Sequence, residues 1–321
     1  MSETRRQAIK RHLSAGLIQA RHYRALAALK LRCRRPISTG SIPAGFERAE
    51  LRRQLMRAAG EKLGYCELDL AAPAWLGRFQ AFYHAYEALY RIGQGKGKAL
   101  EHFLGMELLD FSRAARYCDL ASAASPFQRI APAEFPALEC WRQDLEYATD
   151  LPRRTLGGSA ARLTAVPDGY FDALTLHNSF EHFEGVADSE LIPEVHRILS
   201  PLGACLILPL YMAPADRIYF DPRRVTASLL ESFDAGAECI AVSNFGQRHA
   251  RFYSPQTVRS RLLAVLPPGL RATVIEFSGG ETAAPMYPQF GLLLDRPGSI
   301  ARLPVHAQER RADAARRSKM S

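Results

Sequence analysis

From Arg5 to Arg32 apolar residues recur at helical spacing, at Ile9, Leu13, Leu17, Leu26 and Leu29, among arginine, lysine and histidine. That pattern predicts a basic amphipathic helix in need of a surface to dock on. Pro36 to Gly45 is rich in Pro, Ser and Gly and predicts a loop, after which a second helix is expected from Arg48 to about Lys62. A third helix, Leu76 to Ile92, carries an aromatic stripe of Phe79, Phe82, Tyr83, Tyr86 and Tyr90, read as core packing. The run Gly93-Gln-Gly-Lys-Gly-Lys98 breaks the pattern and is read as a linker. It is not a phosphate loop, because it lacks GxxxxGK[ST] and no strand precedes it.

After Ala99 the periodicity changes. A helix over Leu100–Phe111 leads into short apolar runs separated by helical stretches, which is a βαβ pattern. Strands are predicted at Tyr117–Ala121, Leu138–Arg142, Phe171–His177, Ala204–Pro209, Arg271–Phe277 and Phe290–Leu294. Before the fourth of these, Asp188 is placed to cap a helix whose apolar stripe is Leu191, Ile192, Val195 and Ile198, with Pro201-Leu-Gly203 as its stop. Strands alternating with helices predict an α/β fold, doubly wound around a mostly parallel sheet, behind an N-terminal helical region. The expected divisions are a basic helical region over 1–95, an α/β domain over 96–298 and a basic flexible tail over 299–321.

Charge sharpens this division. Residues 1–60 hold 14 Lys/Arg against 3 Asp/Glu and residues 296–321 hold 7 against 2, whereas the segment between holds 21 against 28. Basic arms around an acidic core admit an anionic partner, but a solvated helix face and a frayed tail are the plainer reading. The six cysteines at 33, 66, 118, 140, 205 and 239 form no CxxC pair and match no zinc spacing. No apolar run approaches the ~20 residues that span a bilayer, and no apolar stretch follows the charged N-terminus. A soluble, cytoplasmic protein is expected, with no metal.

In doubly wound sheets ligands bind at the carboxyl ends of strands near the topological switch point, so the loop after the first α/β strand draws attention. It reads Cys118-Asp-Leu-Ala-Ser-Ala-Ala-Ser-Pro-Phe127. It resembles the class I S-adenosylmethionine-dependent methyltransferases, whose first strand ends in an acid followed by Gly-x-Gly. Asp119 matches the acid, while Ala121 and Ala123, flanking Ser122, stand where glycines belong. The next strand ends in Trp141-Arg-Gln-Asp144, and Asp144, 25 residues beyond Asp119, is placed to accept from ribose hydroxyls. Leu156-Gly-Gly-Ser-Ala160 resembles the segment that contacts adenine, with Ser159 in place of an acid and Ala160 beside it.

The most specific match runs from Pro167-Asp-Gly-Tyr-Phe-Asp through His177-Asn-Ser-Phe-Glu-His182 to Glu194-Val-His-Arg-Ile-Leu-Ser-Pro-Leu-Gly203. It is similar to that family's Phe-Asp strand, Glu-His pair and Arg-x-Leu-x-Pro-Gly-Gly turn, with Leu202 at the first glycine of the turn. The resemblance implies S-adenosyl-L-methionine as cofactor and methyl transfer as reaction. His177 and Asn178 would face the methyl group, His177 as a candidate general base. Glu181 and His182 would shape the cofactor pocket.

Between the later strands, Tyr211 to Tyr253 mixes Tyr219, Phe220 and Phe245 with Arg223, Arg224, Arg248, His249 and Arg251, which suits a polar or anionic substrate over the site. An ordinary surface helix and hairpin is the alternative. Three readings follow: a methyltransferase for a small-molecule or carbohydrate-type acceptor, a degenerate methyltransferase-like scaffold, or a nucleic-acid methyltransferase gripping phosphates with the basic arm. The first is preferred and nucleic-acid binding is not favoured. A nicotinamide oxidoreductase fits poorly, since GxGxxG is absent.

Overall fold

The computed structural model describes residues 19–43, 46–90, 95–123, 125–279 and 289–303. Residues 19–32 are helical (α1). They are followed by β1 (Ile37–Gly40), α2 (Arg48–Ala59), β2 (Leu63–Asp69), α3 (Pro73–Tyr90) and α4 (Gly95–Leu108). The central part runs β3 (Arg116–Leu120), α5 (Phe127–Glu134), β4 (Glu139–Asp144), β5 (Thr155–Gly157), β6 (Phe171–His177), α6 (Ala187–Ile198) and β7 (Leu199–Leu208). Then come β8 (Arg217–Phe220), α7 (Ala227–Glu231), β9 (Glu238–Val242), β10 (His249–Phe252), a π-helical stretch Val258–Leu263, β11 (Arg271–Ser278) and β12 (Phe290–Asp295).

Eight strands form the main sheet in the order β2-β11-β12-β7-β6-β3-β4-β5. All are parallel to their neighbours except β12, which runs against both β7 and β11. Strand alternation sends side chains to opposite faces. Cys205 and Ile207 of β7 join the cluster that holds Leu51, Leu55 and the α6 stripe. Ala204, Leu206 and Leu208 join the cluster of Phe79, Phe82, Leu104 and Phe127 on the other face. Leu191, Ile192, Val195 and Ile198 are all fully buried, so the 3.6-residue spacing is what seats α6 on the sheet. From β3 the chain steps outward through β4 to β5, then returns to β6 on the other side of β3. The crevice between the carboxyl ends of β3 and β6 is therefore the topological switch point.

A second sheet, ordered β1-β9-β8-β10, stands beside the first, with β10 antiparallel to β8. Leu26 and Leu29 of α1, with Cys33 just after it, pack on Ile218, Phe220, Leu229, Leu230 and Phe233 of this lobe. Burying each leucine contributes about 1.5–3 kcal/mol, enough to hold a helix whose outer face is charged. The docking expected of the first helix is thus met by its C-terminal part; Ile9, Leu13 and Leu17 lie outside the described residues.

Several expectations need correction. The region 1–95 is not only helical: β1 belongs to the second sheet, and β2 is an edge strand of the main sheet, paired with β11. Residues 95–98, read as linker, open α4, because packing of its apolar residues overrides the low helix propensity of glycine. The tail expected from 299 begins anchored, with Ile300 and Leu303 buried and Arg302 paired to Asp110 at 2.6 Å. Pro201-Leu-Gly203 does not stop α6. The helix ends at Ile198 and the tripeptide lies inside β7. Asp188 is no cap either, for it lies within the first turn of α6 and its carboxylate turns to Arg251, Arg261 and Tyr253.

Candidate active site

The loop after β3 turns through a left-handed backbone at Ala121 (φ 49°) and Ala123 (φ 43°). Each such residue costs alanine roughly 1–2 kcal/mol, so something must hold it there. The end of β4 does so. The buried side chain of Gln143 accepts the Ala121 N–H at 3.0 Å, and its backbone carbonyl accepts the Ser122 N–H at 2.9 Å. Asp144 Oδ2 then accepts the Ala123 N–H at 2.8 Å, and the Tyr147 hydroxyl donates to the Ala123 carbonyl. Three successive loop residues are thus clamped in the conformation that glycines would adopt freely. Ala123→Gly is expected to leave the fold intact and raise its stability by up to about 1 kcal/mol, relief of strain exceeding the entropy that glycine costs. A thermal melt checks this, and a loss of more than about 1 kcal/mol would show the alanine to be unstrained.

Above this loop lies a cavity of about 1040 Å³ at the carboxyl ends of β3, β4 and β6. Ala121, Ser122, Ala123 and Asp144 line one side of it, joined by Ser159 and Ala160. Asn178 lines the far side in the left-handed region (φ 53°), its Oδ1 accepting from the Tyr211 hydroxyl at 3.1 Å. The structure therefore brings together seven residues that the sequence offered separately. Asp119 and Glu181 are not on the wall but buried beneath it. Asp119 Oδ1 accepts from the Thr175 hydroxyl at 3.2 Å. Glu181 leaves Oε2 without a hydrogen bond, and burial pushes its carboxyl above the usual range against the pull of His182.

His177 is corrected. Its side chain is 2% exposed, Nδ1 lies 3.3 Å from Asp119 Oδ1, and the ring packs edge-on against His102 and Phe127. A Cβ at Gly105 of α4 would come within 2.9 Å of Nε2, so only glycine lets the helix approach this ring. His177 is among the residues lining the cavity, but a ring held in this way offers it little surface, which speaks against the general-base role expected of it. What His177 presents instead is its backbone carbonyl, which accepts from Lys98 Nζ.

Comparison with known proteins now bears on this geometry. Residues 91–207 match the family model described as a methyltransferase domain. The match covers 117 of the 321 residues. The switch-point topology is the Rossmann-like class I arrangement that the motifs implied. The match begins just ahead of α4 and ends within β7, leaving β1, β2 and the second sheet outside it. No curated protein matches the chain.

Likeness to solved structures is remote. A Burkholderia thailandensis 1,6-didemethyltoxoflavin-N1-methyltransferase shares 13% identity at a TM-score of 0.41, over 71% of this chain and 91% of that one. An O-methyltransferase family protein of the same organism shares 18% at 0.40, over 72% and 64%. Human N-acetylserotonin methyltransferase shares 13% at 0.37, over 71% and 58%, so the chain spans less than two thirds of the latter two.

Within the matched segment, the site residues that escaped the sequence reading include Gln143, and Lys98 with Glu101 on α4. Lys98 Nζ lies 3.1 Å from Glu101 Oε2, and both side chains are largely buried at the cavity. A lysine just ahead of the mostly apolar run Ala99–Leu104, with a glutamate three residues on inside it, was the available signal. The lobe from Tyr211 onward does reach the cavity, through Tyr211, Arg248 and His249. Three of its arginines, however, are matched: Arg248 by Glu184, Arg251 by Asp188 and Arg223 by Asp221. The expectation that they recognise an anion is not supported by this pairing. Burial, then His182, lowers His249 to about 4, so it is neutral at pH 7.

Proposed function

We propose that the protein is an S-adenosylmethionine-dependent methyltransferase acting on a small molecule. One observation carries the reading: the loop after β3 keeps positive φ at Ala121 and Ala123, clamped by Gln143 and Asp144 at the floor of the main cavity. A loop without ligand duties has no reason to retain that strain at two positions. The degenerate-scaffold alternative rested on the absent glycines and on Ser159 in place of an acid, and the retained backbone answers the first of these in favour of the enzyme reading. The residues fit the cofactor. Backbone at Ala121–Ala123 would permit close approach, Asp144, whose Oδ1 also accepts the Glu146 N–H at 3.1 Å, would accept from the ribose hydroxyls, Ser159 and Ala160 would flank the adenine, and Asn178 would border the methionine end. When bound, the cofactor supplies an electrophilic methyl carbon, so the protein needs only to orient the acceptor and take up its proton.

A small acceptor suits a cavity whose walls carry Glu101, Asp144, Glu146 and Glu184 against Lys98 and Arg248. Phosphate-rich acceptors would meet net repulsion there. The exposed Arg21, Arg24, Lys30 and Arg32 lie on α1, on the second lobe, and we expect them to bind nucleic acid only weakly and with steep salt dependence. The six cysteines form no disulfide with one another, in keeping with a reducing, cytoplasmic setting. Among the described residues no helix is long and apolar enough to cross a membrane.

Calorimetric titration with S-adenosylmethionine and S-adenosylhomocysteine tests the proposal. Asp144→Ala is expected to weaken both by roughly ten- to hundredfold, since a carboxylate hydrogen bond contributes about 1.5–3 kcal/mol. It should also lower the melting temperature slightly, because the Ala123 N–H loses its acceptor. Equal affinity in the variant would remove Asp144 from the site, and no binding to the parent protein would sink the reading.

A further inference from the structure

We propose that Glu101 is the recognition carboxylate for a positively charged amine acceptor, bound between α4, the end of β6 and the mouth formed by Tyr211 and His249. The inference rests on the methyl-transfer reading of the cavity and names the substrate class within it.

Glu101 is 7% exposed yet lines the cavity, and its Oε2 carries no hydrogen bond of good geometry. Its ionic partner is Lys98 at 3.1 Å, whose Nζ is also committed to the His177 carbonyl. One cation is therefore divided between a carboxylate and a carbonyl, while a second carboxylate, Glu181, is buried nearby with Oε2 unpartnered. Both carboxylates act on the Tyr211 hydroxyl, which burial first and their charges next hold well above its ordinary value. The remaining cation on this wall, Arg248, is taken by Glu184. His249 adds no charge at neutral pH, and Ser179 Oγ is buried at the cavity without a hydrogen-bond partner. The wall thus offers acceptors and negative charge to an incoming ligand, together with the faces of Tyr211 and Phe183, which attract cations. An ammonium group, a donor with positive charge, complements every one of these features. A carboxylate or phosphate could accept from the hydroxyls but would be opposed by the charge of Glu101 and Glu181.

Recognition by Glu101 also provides a base. To become a nucleophile the ammonium must lose one proton: an N–H bond breaks, its electron pair stays on nitrogen, and a Glu101 oxygen forms the O–H bond. Burial, opposed by Lys98 and His177, makes the Glu101 carboxyl a stronger base than a solvated one.

The test uses the full chain saturated with S-adenosylhomocysteine, titrated calorimetrically with phenethylamine and with phenylacetate, probes of similar size and opposite charge. Phenethylamine is expected to bind at least about tenfold more tightly. Glu101→Gln should abolish that preference while leaving S-adenosylhomocysteine affinity unchanged. Lys98→Gln, which frees the carboxylate and can still donate to the His177 carbonyl, should tighten amine binding. Equal or tighter binding of phenylacetate, or an undiminished preference in Glu101→Gln, would overturn the proposal. Failure of the cofactor reading appears separately, as absent S-adenosylhomocysteine binding, and the two probes remain comparable in the unliganded protein.

Discussion

Asp188→Ala is expected to destabilise the protein by about 3–5 kcal/mol, the usual cost of removing one partner from a buried ion network. Asp188 is fully buried, and its carboxylate receives Arg251, Arg261 (Oδ1, 2.5 Å) and the Tyr253 hydroxyl at 2.9 Å. Burial opposes its charge, yet Arg261, Arg251 and Tyr253 together hold the carboxyl below its ordinary range. Alanine would leave Arg251, 2% exposed, with a charge it can neither shed nor solvate. Arg261 would keep Asp234 at 3.0 Å and suffer less. Because the network joins α6 to β10 and the π-helical stretch, its loss also loosens the cavity mouth. Thermal unfolding should show a fall in melting temperature of roughly 10 °C. A loss below about 1 kcal/mol would mean that the arginines find water or new partners.

The second large effect is one of pH. His249 is buried and its folded-state pKa is lowered from 6.5 to about 4, chiefly by burial. As pH falls below 6.5 the unfolded chain takes up the proton first, so the native state loses stability progressively down to about pH 4. The full effect is on the order of 3 kcal/mol. Glu101 and Glu181, pushed up by burial, act in the opposite sense, their contribution being lost as pH rises. The measurement is therefore a difference: denaturant unfolding of the parent and of His249→Gln in the same buffers from pH 4 to 7. The parent should lose stability relative to the variant as the pH drops, and parallel curves would show that His249 is solvated or already protonated.

Much of this architecture was legible where burial on both faces writes itself into composition. The run Phe171–His177 is a strand because both of its faces are covered, and the α6 stripe is periodic because one face of that helix meets the sheet. What escaped was short or half-buried. β1 is four residues with one buried, and β5 is three residues long, too little for a period to show. β2 alternates only in part, since it lies at the sheet edge. In the site, loop and strand-end residues were found because they stand at fixed distances from recognisable strands. Gln143 was passed over because one residue on, Asp144 had the more obvious chemistry. Lys98 was lost because glycines around it suggested flexibility where tertiary packing imposes a helix. His177 was overvalued, since strand-end position alone does not say which way a ring turns.

The pairing of β1 with β9 and of β2 with β11 sets a schedule for synthesis. Ile37 meets Cys239 and Leu63 meets Ala272, so the first strands to leave the ribosome wait for partners some two hundred residues downstream. At about 5–20 residues per second that interval is roughly 10–40 s, far longer than collapse of the intervening chain. During it α1 and β1 have no lobe to cover them, and Leu26, Leu29 and Ile37 stand open to solvent or to other chains. Like charge on this segment opposes the association of nascent copies until β8 and β9 are made.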